Sequence, residues 1–111
     1  MKLLTKAIEK SLPALYSQED NPDPQVVLHY FVPWGAGDWF ITEGQPEVFD
    51  IDGEAVESWL FYGFGGLPEP ELGNVALCEL ESVKGPFGLK IERDLHWTPK
   101  PLSEVMAKAR A

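Results

Sequence analysis

The sequence predicts an α+β protein: a central, largely antiparallel sheet of about four to five strands flanked by an N-terminal and a C-terminal helix. Three observations predict it. Aromatic and β-branched runs bounded by Gly, Pro and Asp-Gly signals fill the middle of the chain. Helix signals flank that middle region at the two ends. There is no internal repeat and no low-complexity segment, so strands dominate the centre and helices its borders. With 111 residues the chain has room for one domain and not for two ordinary ones, and 1–111 is read as a single domain.

Thr5 is placed to cap a short helix over Lys6 to Leu12, with Ile8 and Leu12 on one face and Leu4 at the staple position. Pro13 ends it. Ser17 to Pro24 is small, acidic and proline-rich, and reads as a surface loop. Val26 to Val32 reads as one strand, apolar on both faces and therefore central. Pro33 to Gly37 is a turn, and Asp38 to Thr42 starts the returning strand of a hairpin. Between Val48–Ile51 and Ala55–Val56, Asp52-Gly53 is a hairpin-turn dipeptide. Ser58 to Phe64 is another strand, Gly65 to Gly73 a loop, and Asn74 to Leu77 a short strand. Cys78 to Val83 is one helical turn or two, and Gly85-Pro86 breaks the chain. Ile91 to Trp97 reads as a last strand with alternating sides. Thr98 with Pro99 or Pro101 opens a helix whose apolar stripe is Leu102, Val105, Met106 and Ala109.

Four Trp, three Tyr and six Phe supply a core, each large side chain contributing roughly 1.5–3 kcal/mol when buried. The single cysteine, Cys78, excludes an intrachain disulfide framework or a cysteine-rich zinc site. Beside Leu77 and Leu80 it reads as a buried thiol, and the sparing use of cysteine fits a reducing compartment. The first residues lack the apolar core of a signal peptide, and no apolar run approaches the ~20 residues of a membrane helix. A cytoplasmic protein without a membrane anchor is expected.

Net charge is −9, and its distribution is more informative than its total. From Ser11 to Val83 there is no Lys or Arg. That window holds Glu19, Asp20, Asp23, Asp38, Glu43, Glu47, Asp50, Asp52, Glu54, Glu57, Glu69, Glu71, Glu79 and Glu81. A nucleic-acid backbone or an anionic membrane is a poor partner for such a stretch. A basic protein, a metal ion or plain solubility remain open.

Several phrases, taken in order, carry a resemblance. They are Met1 to Lys6, Thr42-Glu-Gly44, Pro68-Glu-Pro-Glu-Leu-Gly73 and Glu79 to Leu89, followed by Ile91-Glu-Arg-Asp-Leu95 with Pro101-Leu-Ser-Glu104. Together they resemble the DUF2958 family of small bacterial proteins nearly end to end, least over Gln45 to Ser58. The resemblance implies a domain of unknown function, often met on plasmids and other mobile elements beside DNA-processing genes. It transfers no catalytic residue.

Glu92, Asp94 and His96 are the first chemical candidates. In a strand they share a face with next neighbours ~7 Å apart, where two carboxylates and an imidazole can hold a divalent metal or exchange protons. The plainer reading is a solvent face opposite Ile91, Leu95 and Trp97. His29, within an apolar strand, reads more simply as a hydrogen-bonded structural histidine. Asp50-x-Asp52-Gly53 resembles part of a calcium loop, but its first and twelfth positions are Val48 and Trp59, which excludes that reading. The glycines of Gly35–Gly37 and Gly63–Gly66 have no phosphate-loop lysine and read as turns or bulges. No cofactor and no metal site is expected. Most aromatics are assigned to the core, with Trp34, in its Pro/Gly turn, the exposed exception.

The acid-rich middle carries most weight. Its plain reading is a solvated face. Its sharper reading is an anionic surface for a basic partner, with Asp50, Asp52, Glu54, Glu69, Glu71, Glu79, Glu81 and Trp34 as the contact residues. Acids two apart in a strand are more widely spaced than the ~3.4 Å charge step of a DNA strand, so a nucleic-acid mimic needs neighbouring strands to fill the gaps. The leading expectation is thus a non-enzymatic interaction protein that engages a basic or nucleic-acid-processing protein through an anionic face. The alternatives are a nucleic-acid accessory factor, using exposed aromatics and the terminal bases, and a metal-dependent enzyme using Glu92, Asp94 and His96.

Overall fold

The sheet is built on one long hairpin. β3 (Asp38–Ile51) and β4 (Glu54–Gly66) pair antiparallel along their length around Asp52-Gly53. The structure is a computed structural model and describes residues 1–66 and 69–109. Both turn residues have positive φ, +52° at Asp52 and +85° at Gly53, as a two-residue hairpin turn requires. Asp50 Oδ1 accepts the Gly53 N–H at 3.0 Å and braces the turn. Gly63 and Gly65 are not turn residues, because they let two strands approach. A Cβ at either would collide with the carbonyl oxygen of Phe40 or Asp38 on β3. The bulge lies on β3 itself, where the register steps from Ile41↔Gly63 to Glu43↔Tyr62 and leaves Thr42 unopposed.

Three further strands complete a five-stranded sheet in the order β5-β4-β3-β2-β6, all pairs antiparallel. They are β2 (Leu28–Phe31), β5 (Glu71–Ala76) and β6 (Glu92–Arg93). A separate ladder joins β1 (Gln25–Val26) to β7 (Lys100–Pro101). The helices are α1 (Lys6–Ser11), α2 (Leu77–Ser82) and α3 (Leu102–Ala109). This is the predicted α+β plan, with helices near both termini.

Four details differ from the sequence reading. The strand expected over Val26 to Val32 is broken at Val27, whose N–H turns to Ile41 O at 2.9 Å. The loop expected over Gly65 to Gly73 is shorter, since Gly65 and Gly66 belong to β4 and Glu71 to Gly73 to β5; Pro68 lies outside the described residues. The last strand stops at Arg93. Asp94 gives its N–H to His29 O at 2.9 Å, and its Oδ1 then accepts the His96 N–H at 3.0 Å, an Asx turn that ends pairing. α3 starts at Leu102, and its cap comes from eighty residues upstream in sequence: Asp23 accepts the Ser103 N–H at 2.9 Å and its hydroxyl at 2.6 Å. The Ser103 bonds hold the Asp23 carboxyl below the usual aspartate range.

α1 begins as its cap predicts, with Thr5 Oγ1 accepting the Ile8 N–H at 3.3 Å. One face of the sheet carries the core: Leu28, Tyr30, Trp39, Ile41 and Phe61, covered by Leu3 and Leu4 from the N-terminal segment and by Leu77 and Leu80 from α2. Tyr30 is fully buried and donates its hydroxyl to Leu3 O at 2.6 Å. Leu77 and Leu80 lie three apart on α2 and face inward. Cys78 is therefore rotated outward and is only half-buried, contrary to the expected buried thiol. Val105 is the buried position of the stripe expected on α3. Among the described residues no helix is long and apolar enough to cross a membrane.

Candidate functional site

The hairpin outruns its neighbours. β2 pairs with β3 only through Ile41, and β5 with β4 only from Leu60 onward. Residues 46–51 and 54–59 therefore form a two-stranded ribbon that runs past the paired neighbours in the sheet, with Val48 64 % exposed. Glu47, Asp50, Asp52, Glu54 and Glu57 lie on it, all but the half-buried Glu47 exposed. At its root an open groove of about 890 Å³ is bordered by Glu9, Glu47, Glu57 and Glu81, with one lysine, Lys2, and with Leu4, Trp59 and Leu77 among its walls. Among the described residues no Lys or Arg comes within ion-pair distance of any carboxylate. The acids of ribbon and groove thus make no direct ion pair among the described residues, although Lys2 borders the groove and Glu47 Oε1 accepts the Gln45 Nε2–H at 2.9 Å.

The contact residues expected from sequence divide. Asp50, Asp52 and Glu54 are brought together at the ribbon tip, and Glu81 lines the groove at its root. Glu79 is exposed on α2, where one carboxylate oxygen accepts the Ala76 N–H at 3.1 Å and caps the helix. Glu71 opposes Gly65 at the other end of β4, with Glu69 just before it, so this pair lies away from the ribbon. Trp34 is half-buried, its ring packed on Gly85, where a Cβ would approach to 2.5 Å. Glu43 lies within the acidic window yet is 4 % exposed, and its Oε2 accepts the Gln18 N–H at 2.7 Å to tie the loop before β1 to the sheet.

A second constellation surrounds His29, on the sheet face opposite the main core. Its Nδ1 is 3.0 Å from Asp94 Oδ2 and its Nε2 is 2.8 Å from Asp38 Oδ1. The ring stacks on Phe40 at 4.5 Å, and Trp97 packs beside it at 5.1 Å. Register explains the meeting: His29 opposes Phe40, so Asp38 is its diagonal neighbour on the same face. The His29 hydrogen bond, helped by the His96 N–H, holds the Asp94 carboxyl below the usual aspartate range. A neutral imidazole donates to one of these carboxylates, and the doubly protonated ring to both. Either way both nitrogens are engaged and the side chain is 13 % exposed. The trio joins β2, β3 and the 94–97 turn as a cross-link, and it leaves no ring nitrogen open for proton exchange with a substrate.

Asp94 therefore meets His29 rather than acting beside Glu92 and His96. Glu92 opposes Phe31 in β6, and His96 is exposed beyond the Asx turn. Among the described residues no group of three His, Cys, Asp or Glu is arranged to hold a metal ion. Sequence reasoning singled out His29 and Asp94 separately; the hairpin register around Pro33–Gly37 was the signal that could have added Asp38. It also passed over Phe87. This residue sits in the turn Pro86–Gly88 at φ +58°, fully exposed. The left-handed conformation costs a bulky residue about 1–2 kcal/mol.

The molecule is thus an α+β protein presenting an acidic, two-stranded projection with a groove at its root. The model for the protein family of unknown function DUF2958 matches residues 3–111, and the chain belongs to that family. No curated protein and no solved structure matches it.

Proposed function

We propose that the chain is a non-enzymatic interaction protein, of the mobile-element kind its family resemblance implies, that binds a basic or nucleic-acid-processing protein through the ribbon and the groove at its root. One observation carries this reading: Glu47, Asp50, Asp52, Glu54 and Glu57 project on a ribbon with no cation in ion-pair range among the described residues. Within a folded monomer such clustering is unfavourable, because like charges repel without compensation. A partner's Lys and Arg side chains relieve it. The exposed Val48 and Ile51 add apolar contact between the acids, and the groove admits a basic side chain or short segment.

An exposed ion pair contributes about 0.2–1 kcal/mol, so several together supply a salt-sensitive affinity rather than a tight one. Attraction fades beyond about 8 Å at physiological ionic strength. Affinity capture from cells at low salt, repeated at rising salt, tests the reading. The chain is expected to retain a basic protein at low salt and release it as salt rises. The same capture with Asp50→Asn, Asp52→Asn, Glu54→Gln and Glu57→Gln together is expected to lose it. Retention of no basic protein at low salt sinks the reading.

A further inference from the structure

We propose that the turn carrying Phe87 is a contact finger for single-stranded nucleic acid, with the Phe87 ring stacking on an unpaired base and Lys84 and Lys90 meeting phosphates. The finger is preorganised. Its neck is closed by the Gly85 N–H to Leu89 O bond at 2.8 Å, and the Leu89 N–H returns to Pro86 O at 3.1 Å. Gly85 is seated on the Trp34 ring, which anchors the neck to the β2–β3 turn. At the tip Phe87 is 101 % exposed in the left-handed region. The strained backbone beneath a fully exposed ring, rather than the exposure alone, is what points to a contact outside the fold.

The exposed ring and its flanking lysines together choose the partner. Lys84 and Lys90 flank the neck, both are exposed, and neither is in an ion pair among the described residues. They are the first cations after the base-free window. The finger sits at the Trp34 end of β3, whereas the acidic ribbon tip lies at the other. Glu81 and Glu92 border its base beside Gly88 to Lys90, and Glu71 stands at the same end of the sheet, so the two lysines supply a weak, salt-sensitive phosphate contact. A single strand offers the finger both an unstacked base and a run of phosphates. Duplex DNA keeps its bases stacked, and an anionic bilayer would bring a broad surface against a body of net charge −9.

The test is fluorescence anisotropy of a labelled twelve-nucleotide oligothymidylate at roughly 20 mM salt, repeated at rising salt. Saturable binding is expected, with log affinity falling against log salt at a slope of about −1.4, the value for two phosphate contacts on a single strand. Phe87→Ala is expected to weaken binding at least about fivefold and Phe87→Trp to preserve it, as stacking requires. Lys84→Gln with Lys90→Gln should flatten the salt slope. Phe87 touches no core residue, so far-ultraviolet circular dichroism should be unchanged in every variant. No binding at low salt overturns the proposal, as does binding unaffected by Phe87→Ala. Preference for duplex, for phosphatidylserine vesicles or for a poly-glutamate probe over the oligonucleotide overturns it equally. Because ribbon acids are untouched in these variants, capture of a basic protein stays a separate result.

Discussion

His29 shows how a single side chain can join segments distant in sequence. It bonds Asp38 across the hairpin and Asp94 from the far side of β6, so Asp94→Ala leaves a ring nitrogen and the His96 N–H without their acceptor. A loss of about 1–2 kcal/mol is expected by urea unfolding. Acid should remove the same contribution. The Asp94 carboxyl is held below its ordinary value of 3.8 in the fold, chiefly by the His29 hydrogen bond. Its stabilising effect is complete above 3.8 and lost as pH falls through the lowered folded value. The melting-temperature gap between the native chain and Asp94→Asn should therefore narrow as pH falls below 3.8. Tyr30 behaves in the opposite sense. Burial raises its pKa above 10.0, so the neutral form is the folded form and stability falls as pH rises beyond 10.0, measurable as alkaline unfolding that Tyr30→Phe moves to higher pH.

At the scale of elements, the β3–β4 hairpin decides the fold, and part of it is written locally. Asp52-Gly53 names its own turn, and Thr5 names the start of α1. What could not be read was the length of the strands, because Glu43 to Glu57 mixes acids, Gly and Pro46 in a way that hides a period of two. Pairing with a partner of equal length supplies the order that alternation does not announce. Gly63 fell within the strand expected over Ser58 to Phe64 and Gly65 did not, and why glycine stands at either was not legible, since the reason is the opposing backbone. Gly63→Ala should cost at least about 2 kcal/mol by thermal unfolding, because its Cβ meets Phe40 O and the strand cannot move without breaking register. Gly73→Ala, with open space around it, should change stability by less than about 0.5 kcal/mol. The last strand failed as a prediction for a related reason. Alternation from Ile91 to Trp97 is real in sequence, yet the Asp94 side chain captures the His96 N–H and turns the chain. That turn delivers Asp94 to His29 and dissolves the row of Glu92, Asp94 and His96.

For the whole molecule, the acids are spread unevenly along the sheet. The sequence disclosed that Ser11 to Val83 holds acids and no bases, but only folding decides which acids gather. Asp50, Asp52 and Glu54 share a ribbon tip, Glu69 and Glu71 lie at the opposite end of β4, and Glu43 is buried. Total charge and local field are thus different quantities, and the partner reading depends on the second. The most direct measurement compares two variants of equal charge. One neutralises Asp50, Asp52, Glu54 and Glu57 on the ribbon and its root; the other neutralises Glu19, Asp20, Glu69 and Glu71 elsewhere. Titrated by calorimetry at 50 mM salt against the basic protein recovered by capture, the ribbon variant should bind about tenfold or more weakly, the effect of 1.4 kcal/mol, while the control stays within about twofold. Equal losses in both would mean that net charge alone governs binding, and the ribbon would have no part in it.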